Sequence, residues 1–227
     1  MAAWVAVAAR VVVFVCLASA FVFDDAALGQ LQYKPGPLCL PASQRNGEIG
    51  CWILAQESLG QLSQAPLFWH LDTYPSRAAA EAAKSLRGTV VESLGKVWLF
   101  TIAEAGWRPT AGERVAEIGP LIPINSGEKY TAQYMEATFT PGMESPVHVH
   151  PGPEAWYTLS GEVCLETPDG KLTGHAGEST VVPGGPPMRL TITGTEQRRS
   201  LVIVLHDASK HWVINTTDWT PKGLCRN

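Results

Sequence analysis

Residues 142–161 read GMESPVHVHPGPEAWYTLSG and contain two histidines and two glutamates between positions 144 and 154. His148 and His150 are two positions apart, so on a β-strand their side chains point to the same face. The segment 151–153 then turns the chain, and Glu154 begins the next predicted strand, from which it can face the same cavity. Two imidazoles and one carboxylate that converge in this way predict a site for one divalent ion: Fe(II), Mn(II), Ni(II) or Zn(II).

The spacing of these residues resembles a known motif. It is G(x)5HxH(x)3E(x)6G, which matches the first motif of the cupin family at every fixed position. A second stretch from Gly177 resembles the second cupin motif, G(x)5PxG(x)2H(x)3N, but Met188 replaces its histidine and Ile192 its asparagine. The resemblance covers residues 109–210. It implies a jelly-roll barrel that holds a metal ion in its mouth or interior and binds a small-molecule ligand or substrate.

The replacement at Met188 leaves three candidate metal ligands from the resemblance: His148, His150 and Glu154. A thioether is a soft, weak donor, so we expect Met188 to pack against an apolar wall and leave the fourth position open. The site would then offer exchangeable positions to a substrate.

Further site candidates come from strand alternation and from sequence context. Trp156 and Thr158 share the predicted strand face of Glu154 and could line a substrate pocket. Met188 is a third candidate for this pocket. Packing in the core is the alternative for these side chains. Glu144 lies within the first motif. It could act as a catalytic base, and the alternative is a solvated turn residue. His206 follows a predicted strand and either approaches the metal or lies near the surface.

The predicted fold class is mainly β, with the cupin barrel in the C-terminal half and a small α+β segment before it. The expected divisions are a signal peptide at 1–20, a lead-in with a small α+β region at 24–107, the barrel at 108–210 and a tail at 211–227. In the α+β region the predicted elements are strands at 51–54 and 67–74, a helix at 76–84, and a hairpin of 89–92 with 96–102.

The N-terminus and the cysteines indicate export. The apolar run 11–23 is too short to span a bilayer, and 18–20 (Ala-Ser-Ala) has the form of a signal-peptidase site. An uncleaved anchor or a misassigned start is the alternative. Outside the leader the cysteines are Cys39, Cys51, Cys164 and Cys225. They allow three disulfide pairings, or four free thiols. We expect a secreted or periplasmic protein with no further membrane segment.

The composition limits the function classes. Hydrophobic residues make up 45% of the 227 residues and charged residues 17%, which is typical of a folded protein. With 17 basic and 21 acidic residues, the net charge of -4 gives no basic excess for nucleic acid.

Three function hypotheses remain from the sequence. The leading one is a metal-dependent enzyme that acts on a small organic molecule as an oxidoreductase, isomerase or lyase, with a dioxygenase-like reaction favoured. The second is a non-catalytic receptor for a sugar or other small molecule, and the third a metal-free structural or regulatory barrel. The oligomeric state stays open, with a homodimer among the alternatives.

Overall fold

β-Strands dominate the residues that the computed structural model describes, which are 1, 39–63 and 65–226. The strands are β1 (Leu40–Pro41), β2 (Gly50–Gln61), β3 (Leu67–Tyr74), β4 (Gly88–Ser93), β5 (Lys96–Glu104), β6 (Glu113–Ile118), β7 (Lys129–Phe139), β8 (His148–Val149), β9 (Glu154–Ser160), β10 (Glu162–Thr167), β11 (Gly170–His175), β12 (Ser179–Val182), β13 (Arg189–Thr193), β14 (Arg198–Asp207) and β15 (Ile214–Asn215). A 3₁₀ turn at Ala42–Gln44 and one α-helix, α1 (Arg77–Ala83), are the helical elements of this part of the chain. The predicted signal peptide lies outside the described residues.

The strands form three sheets of three or more strands and one short pair. The main sheet has the order β1-β2-β7-β14-β9-β12. The three-stranded sheet has the order β11-β10-β13, and the four-stranded sheet β4-β5-β3-β6. β8 pairs with β15. The mainly β class with a jelly-roll barrel is thereby confirmed.

The main sheet is buried on both faces. On β7, Met135 faces an apolar cluster that includes Trp156 and also holds residues of the three-stranded sheet. The neighbouring Tyr134 faces the opposite way, into a cluster with Trp69 and Phe100 of the four-stranded sheet. Side chains alternate along a strand, so one sheet supplies both cores. The barrel interior lies between the main and three-stranded sheets, and the four-stranded sheet covers the outer face of the barrel.

The region before the barrel contains the elements that the sequence predicts. The Ser76 side chain caps α1 by accepting a hydrogen bond from the Ala79 amide at 3.2 Å. Ala80 packs with Tyr74 and Leu99 beneath the helix. β4 and β5 pair across the predicted hairpin. β2 is longer than predicted and pairs with β7, so this strand extends the main sheet.

The described residues contain two disulfides. Cys39 is joined to Cys51, which closes a local loop with a sequence separation of 12. Cys164 on β10 is joined to Cys225, which ties the C-terminal tail to the barrel across a separation of 61. Among the described residues, no helix is both long and apolar enough to cross a bilayer.

Candidate metal centre

Backbone pairing holds the His-x-His segment against the second motif. The His148 amide donates to the Met188 carbonyl at 3.1 Å, and the Met188 amide donates back to the His148 carbonyl at 2.9 Å. The turn that follows packs against β14, where a Cβ added at Gly152 would lie 2.0 Å from the Leu205 carbonyl oxygen. Only glycine fits such an approach, and the turn therefore brings Glu154 back to the same interior as the two histidines.

The three predicted ligands meet in one buried group. One donor atom each of His148, His150 and Glu154 lies within 4.8 Å of the others. The side chains are buried, with 2%, 2% and 6% of their residues' surfaces exposed. His150 Nε2 and Glu154 Oε2 are 3.6 Å apart, and neither has a hydrogen-bond partner among the described residues. Buried polar atoms are nearly always paired, so this donor set fits a bound cation.

The imidazole rings are oriented from behind by backbone carbonyls. His148 Nδ1 lies 2.8 Å from the Pro146 oxygen, and His150 Nδ1 lies 2.8 Å from the Trp212 oxygen. Since a carbonyl oxygen only accepts, each Nδ1 donates its proton and each Nε2 carries the lone pair. This is the arrangement found in metal-bound histidines, whose second nitrogen donates to an outer partner. The Trp212 ring also stacks on the His150 ring, with centroids 5.8 Å apart.

Burial controls the charge of all three groups. It lowers the pKa of His148 and of His150 to about 4, so both imidazoles are neutral at pH 7 and able to bind a metal. It raises the pKa of Glu154, against the opposing effect of the His148 and Arg198 charges. A nearby cation would favour the ionised carboxylate.

Residues 135–204 match the family described as "Cupin domain". The chain contains a cupin domain. No curated protein matches the sequence.

Solved structures that are similar to this chain include the following three. One is a cupin superfamily protein from Desulfitobacterium hafniense, 20% identical over 37% of this chain and 72% of that chain, with a TM-score of 0.31. Another is a DMSP lyase from Ruegeria pomeroyi, 21% identical over 37% and 43% of the two chains, with a TM-score of 0.33. The third is an oxalate oxidase, 20% identical over 37% and 46%, with a TM-score of 0.33. The matches therefore span less than half of the lyase and of the oxidase.

The candidate pocket residues of the cupin domain all face its interior. Met188 is fully buried and belongs to the apolar cluster that fills the barrel. Trp156 lies in the same cluster. Thr158 is also fully buried, and its hydroxyl has no partner among the described residues.

The two candidate catalytic residues differ in their surroundings. His206 is 4% exposed, and its charge contributes to the lowered pKa of His150, so it lies near the candidate ligands rather than at the surface. It does not belong to the group whose donor atoms lie within 4.8 Å. Glu144 is engaged by two guanidinium groups, those of Arg189 at 3.4 Å and Arg226 at 3.2 Å.

Arg198 is a further buried polar residue of this interior that the sequence motifs did not indicate, and it is only 2% exposed. The signal that could have identified it is strand alternation. Val204 and Val202 face the interior, and counting back by twos along β14 reaches Ser200 and Arg198. The polar sequence around Arg198 instead resembles a solvated turn.

Acidification is expected to destabilise the metal-free protein. The pKa of each candidate imidazole is about 4 in the folded state, against an ordinary value of 6.5 that the unfolded chain should show. Between these values the two imidazoles bind more protons in the unfolded state, which lowers the free energy of unfolding as the pH falls from about 6.5 to about 4, and the raised pKa of Glu154 offsets part of this loss. The loss should be on the order of a few kcal/mol.

Urea unfolding of metal-stripped protein across this pH range measures the effect. A His148→Gln/His150→Gln double variant serves as the control, since it should lose most of the dependence. Equal pH slopes for the variant and the wild type would contradict the assignment.

Proposed function

We propose that this protein is a metal-dependent cupin enzyme that acts on a small organic molecule inside the barrel of residues 108–210. The observation that carries the proposal is the buried group of His148, His150 and Glu154, with both Nδ1 atoms anchored on carbonyl oxygens. Such anchoring costs conformational freedom, and it aims both Nε2 atoms at one point. A purely structural barrel would more readily bury apolar side chains there.

The ligand number favours catalysis over structural metal storage. Three protein ligands leave coordination positions for a substrate, because Met188 contributes no hard donor at the fourth. When bound, a divalent ion supplies Lewis acidity and, for iron or manganese, redox chemistry. Among oxidoreductase, isomerase and lyase reactions we favour a dioxygenase-like one, since two histidines and one carboxylate suit non-haem iron.

The surrounding residues of this chain have separate roles in the proposal. Trp156 and Met188 form an apolar wall that excludes water from the reacting molecule. His206, buried near His150, is the candidate for holding or moving a proton at its Nε2, which has no partner among the described residues.

We also propose that the protein is exported. Two disulfides persist in oxidising compartments such as the periplasm or the extracellular space, and not usually in the cytosol. The predicted leader at 1–20 is compatible with this location.

The experiment that tests the function starts from purified, metal-stripped protein. It is loaded in turn with Fe(II), Mn(II), Ni(II) or Zn(II) and incubated with diketones, phenolics and organic acids, while O2 uptake and products are followed. We expect turnover with at least one metal, none in the stripped protein, and none in His148→Ala. Stoichiometric metal and tight ligand binding without any turnover would instead favour a receptor, and no metal binding would overturn the proposal.

A further inference from the structure

An unpaired cation lies within the barrel. Arg198 opens β14, and its residue is 2% exposed. Its Nε and Nη2 atoms have no hydrogen-bond partner, and no carboxylate of the described residues lies within ion-pair distance. Burial lowers the pKa of its guanidinium to about 10, so it remains charged at neutral pH. A buried charge without a hydrogen-bonded or ionic partner is costly, which points to a partner that is not part of the described chain.

The guanidinium extends along the interior towards the candidate metal centre. Its carbon lies 5.6 Å from the centre of the Trp156 ring, and Trp156 is two residues after Glu154 on β9. The effect of the Arg198 charge on the pKa of Glu154 is consistent with this direction. The Glu154 carboxylate and the Arg198 guanidinium nevertheless form no ion pair with each other among the described residues.

The other unpaired atoms around Arg198 are also hydrogen-bond donors. Ser200 and Thr158 are opposite each other on β14 and β9, and both are fully buried. Their hydroxyl oxygens and the Trp156 indole nitrogen have no partner among the described residues. Hydroxyl, indole and guanidinium groups can all donate, so this part of the interior is complementary to a ligand rich in acceptors.

We propose that Arg198, with the Ser200 and Thr158 hydroxyls, binds a carboxylate group of the small molecule that enters the barrel. A carboxylate is planar, carries one negative charge and accepts about four hydrogen bonds, which matches a guanidinium fork and two hydroxyls. The assignment rests on the proposed function for the identity of the reacting centre. It adds the substrate class: an organic acid whose carboxylate lies beside Arg198, Ser200 and Thr158.

Electrostatics favours the same ligand class. A bound divalent ion and Arg198 together would carry more positive charge than the one carboxylate among the candidate ligands, Glu154, can balance. The interior would therefore hold an excess of positive charge in a region of low dielectric constant. An anionic ligand offsets this excess, whereas a neutral sugar would not.

Isothermal titration calorimetry of metal-stripped, full-length protein tests the inference without turnover. The probes are malonate, succinate and benzoate, each paired with its uncharged amide. We expect at least one acid to bind at least tenfold more tightly than its amide. Arg198→Met should weaken that binding roughly tenfold to a hundredfold, and Arg198→Lys by less, because lysine keeps the charge but not the fork.

Arg199→Gln is the matched control. Arg199 is the next residue on β14, its side chain is 47% exposed, and its removal changes the net charge by the same amount. It should leave acid binding unchanged. Equal binding of acids and amides by the wild type, no binding of any acid, or full affinity in Arg198→Met would overturn the inference.

The outcome is separable from that of the proposed function. Metal content of Arg198→Met should equal that of the wild type, because Arg198 is not among the candidate ligands. A wild-type protein that binds acids through Arg198 but no metal would overturn only the proposed function. If Arg198→Met does not fold, the acid-against-amide comparison and Arg198→Lys decide the inference.

Discussion

Replacement of either His148 or His150 by alanine is expected to remove at least nine-tenths of the metal bound by the wild type. Loss of even an outer partner of a metal ligand commonly costs about ten- to a hundredfold in affinity, and loss of a ligand should cost more. The barrel should remain folded, since its apolar clusters and both disulfides do not depend on either imidazole. Elemental analysis measures the metal, and circular dichroism the fold.

His175→Ala is the control for this prediction. His175 is on β11, its side chain is 54% exposed, and its Nδ1 lies 3.0 Å from a carboxylate oxygen of Glu162. Its removal deletes one imidazole from the protein without touching the buried group, so metal content should not change. Stoichiometric metal in His148→Ala, or equal losses in all three variants, would contradict the assignment of the ligands.

Of the two disulfides, removal of Cys164–Cys225 should cause the larger loss in the free energy of unfolding. In the chain-entropy model, a loop closed across a sequence separation of 61 corresponds to roughly 4 kcal/mol. The Cys39–Cys51 loop, with a separation of 12, corresponds to about 3 kcal/mol. Paired cysteine-to-serine variants, compared by urea unfolding, measure both free energies.

The tail gives this comparison a second readout. Trp212, whose carbonyl orients His150, lies in the sequence between the barrel and Cys225. The Cys164→Ser/Cys225→Ser variant frees this tail and should therefore also bind metal less tightly. The Cys39→Ser/Cys51→Ser variant is the matched control and should retain metal. A stability loss in the opposite order, or unaltered metal affinity in the first variant, would contradict this role of the tail.

The four-stranded sheet packs against the outer face of the barrel, so its removal by truncation would affect the barrel. Trp69 and Phe100 of this sheet pack at 5.2 Å against each other, and both rings also approach Tyr134 of the main sheet. Without this sheet, the outer face of the barrel would expose a broad apolar surface. The full chain is therefore the appropriate form for every experiment above.

Local pattern in the sequence was sufficient for the candidate ligands and for the strands predicted before the barrel. His148, His150 and Glu154 could be grouped because strand alternation and a Pro-Gly-Pro turn are short-range features, and the structure brings the three together. The strand at 67–74 and the cap at Ser76 were equally predictable, since β-branched, aromatic and capping residues act through their immediate neighbours.

The tertiary structure alone decided which surfaces are buried and which groups find partners. Strand alternation places Arg198 and Arg199 on opposite faces of β14, but only the packing of the sheets makes the face of Arg198 the barrel interior and leaves Arg199 at the surface. His206 had two interpretations, and packing of β14 within the main sheet placed it inside. The cysteine pairing likewise depended on which strands become neighbours. Burial and pairing are set by contacts between segments far apart in the chain, and local periodicity carries no information about those contacts.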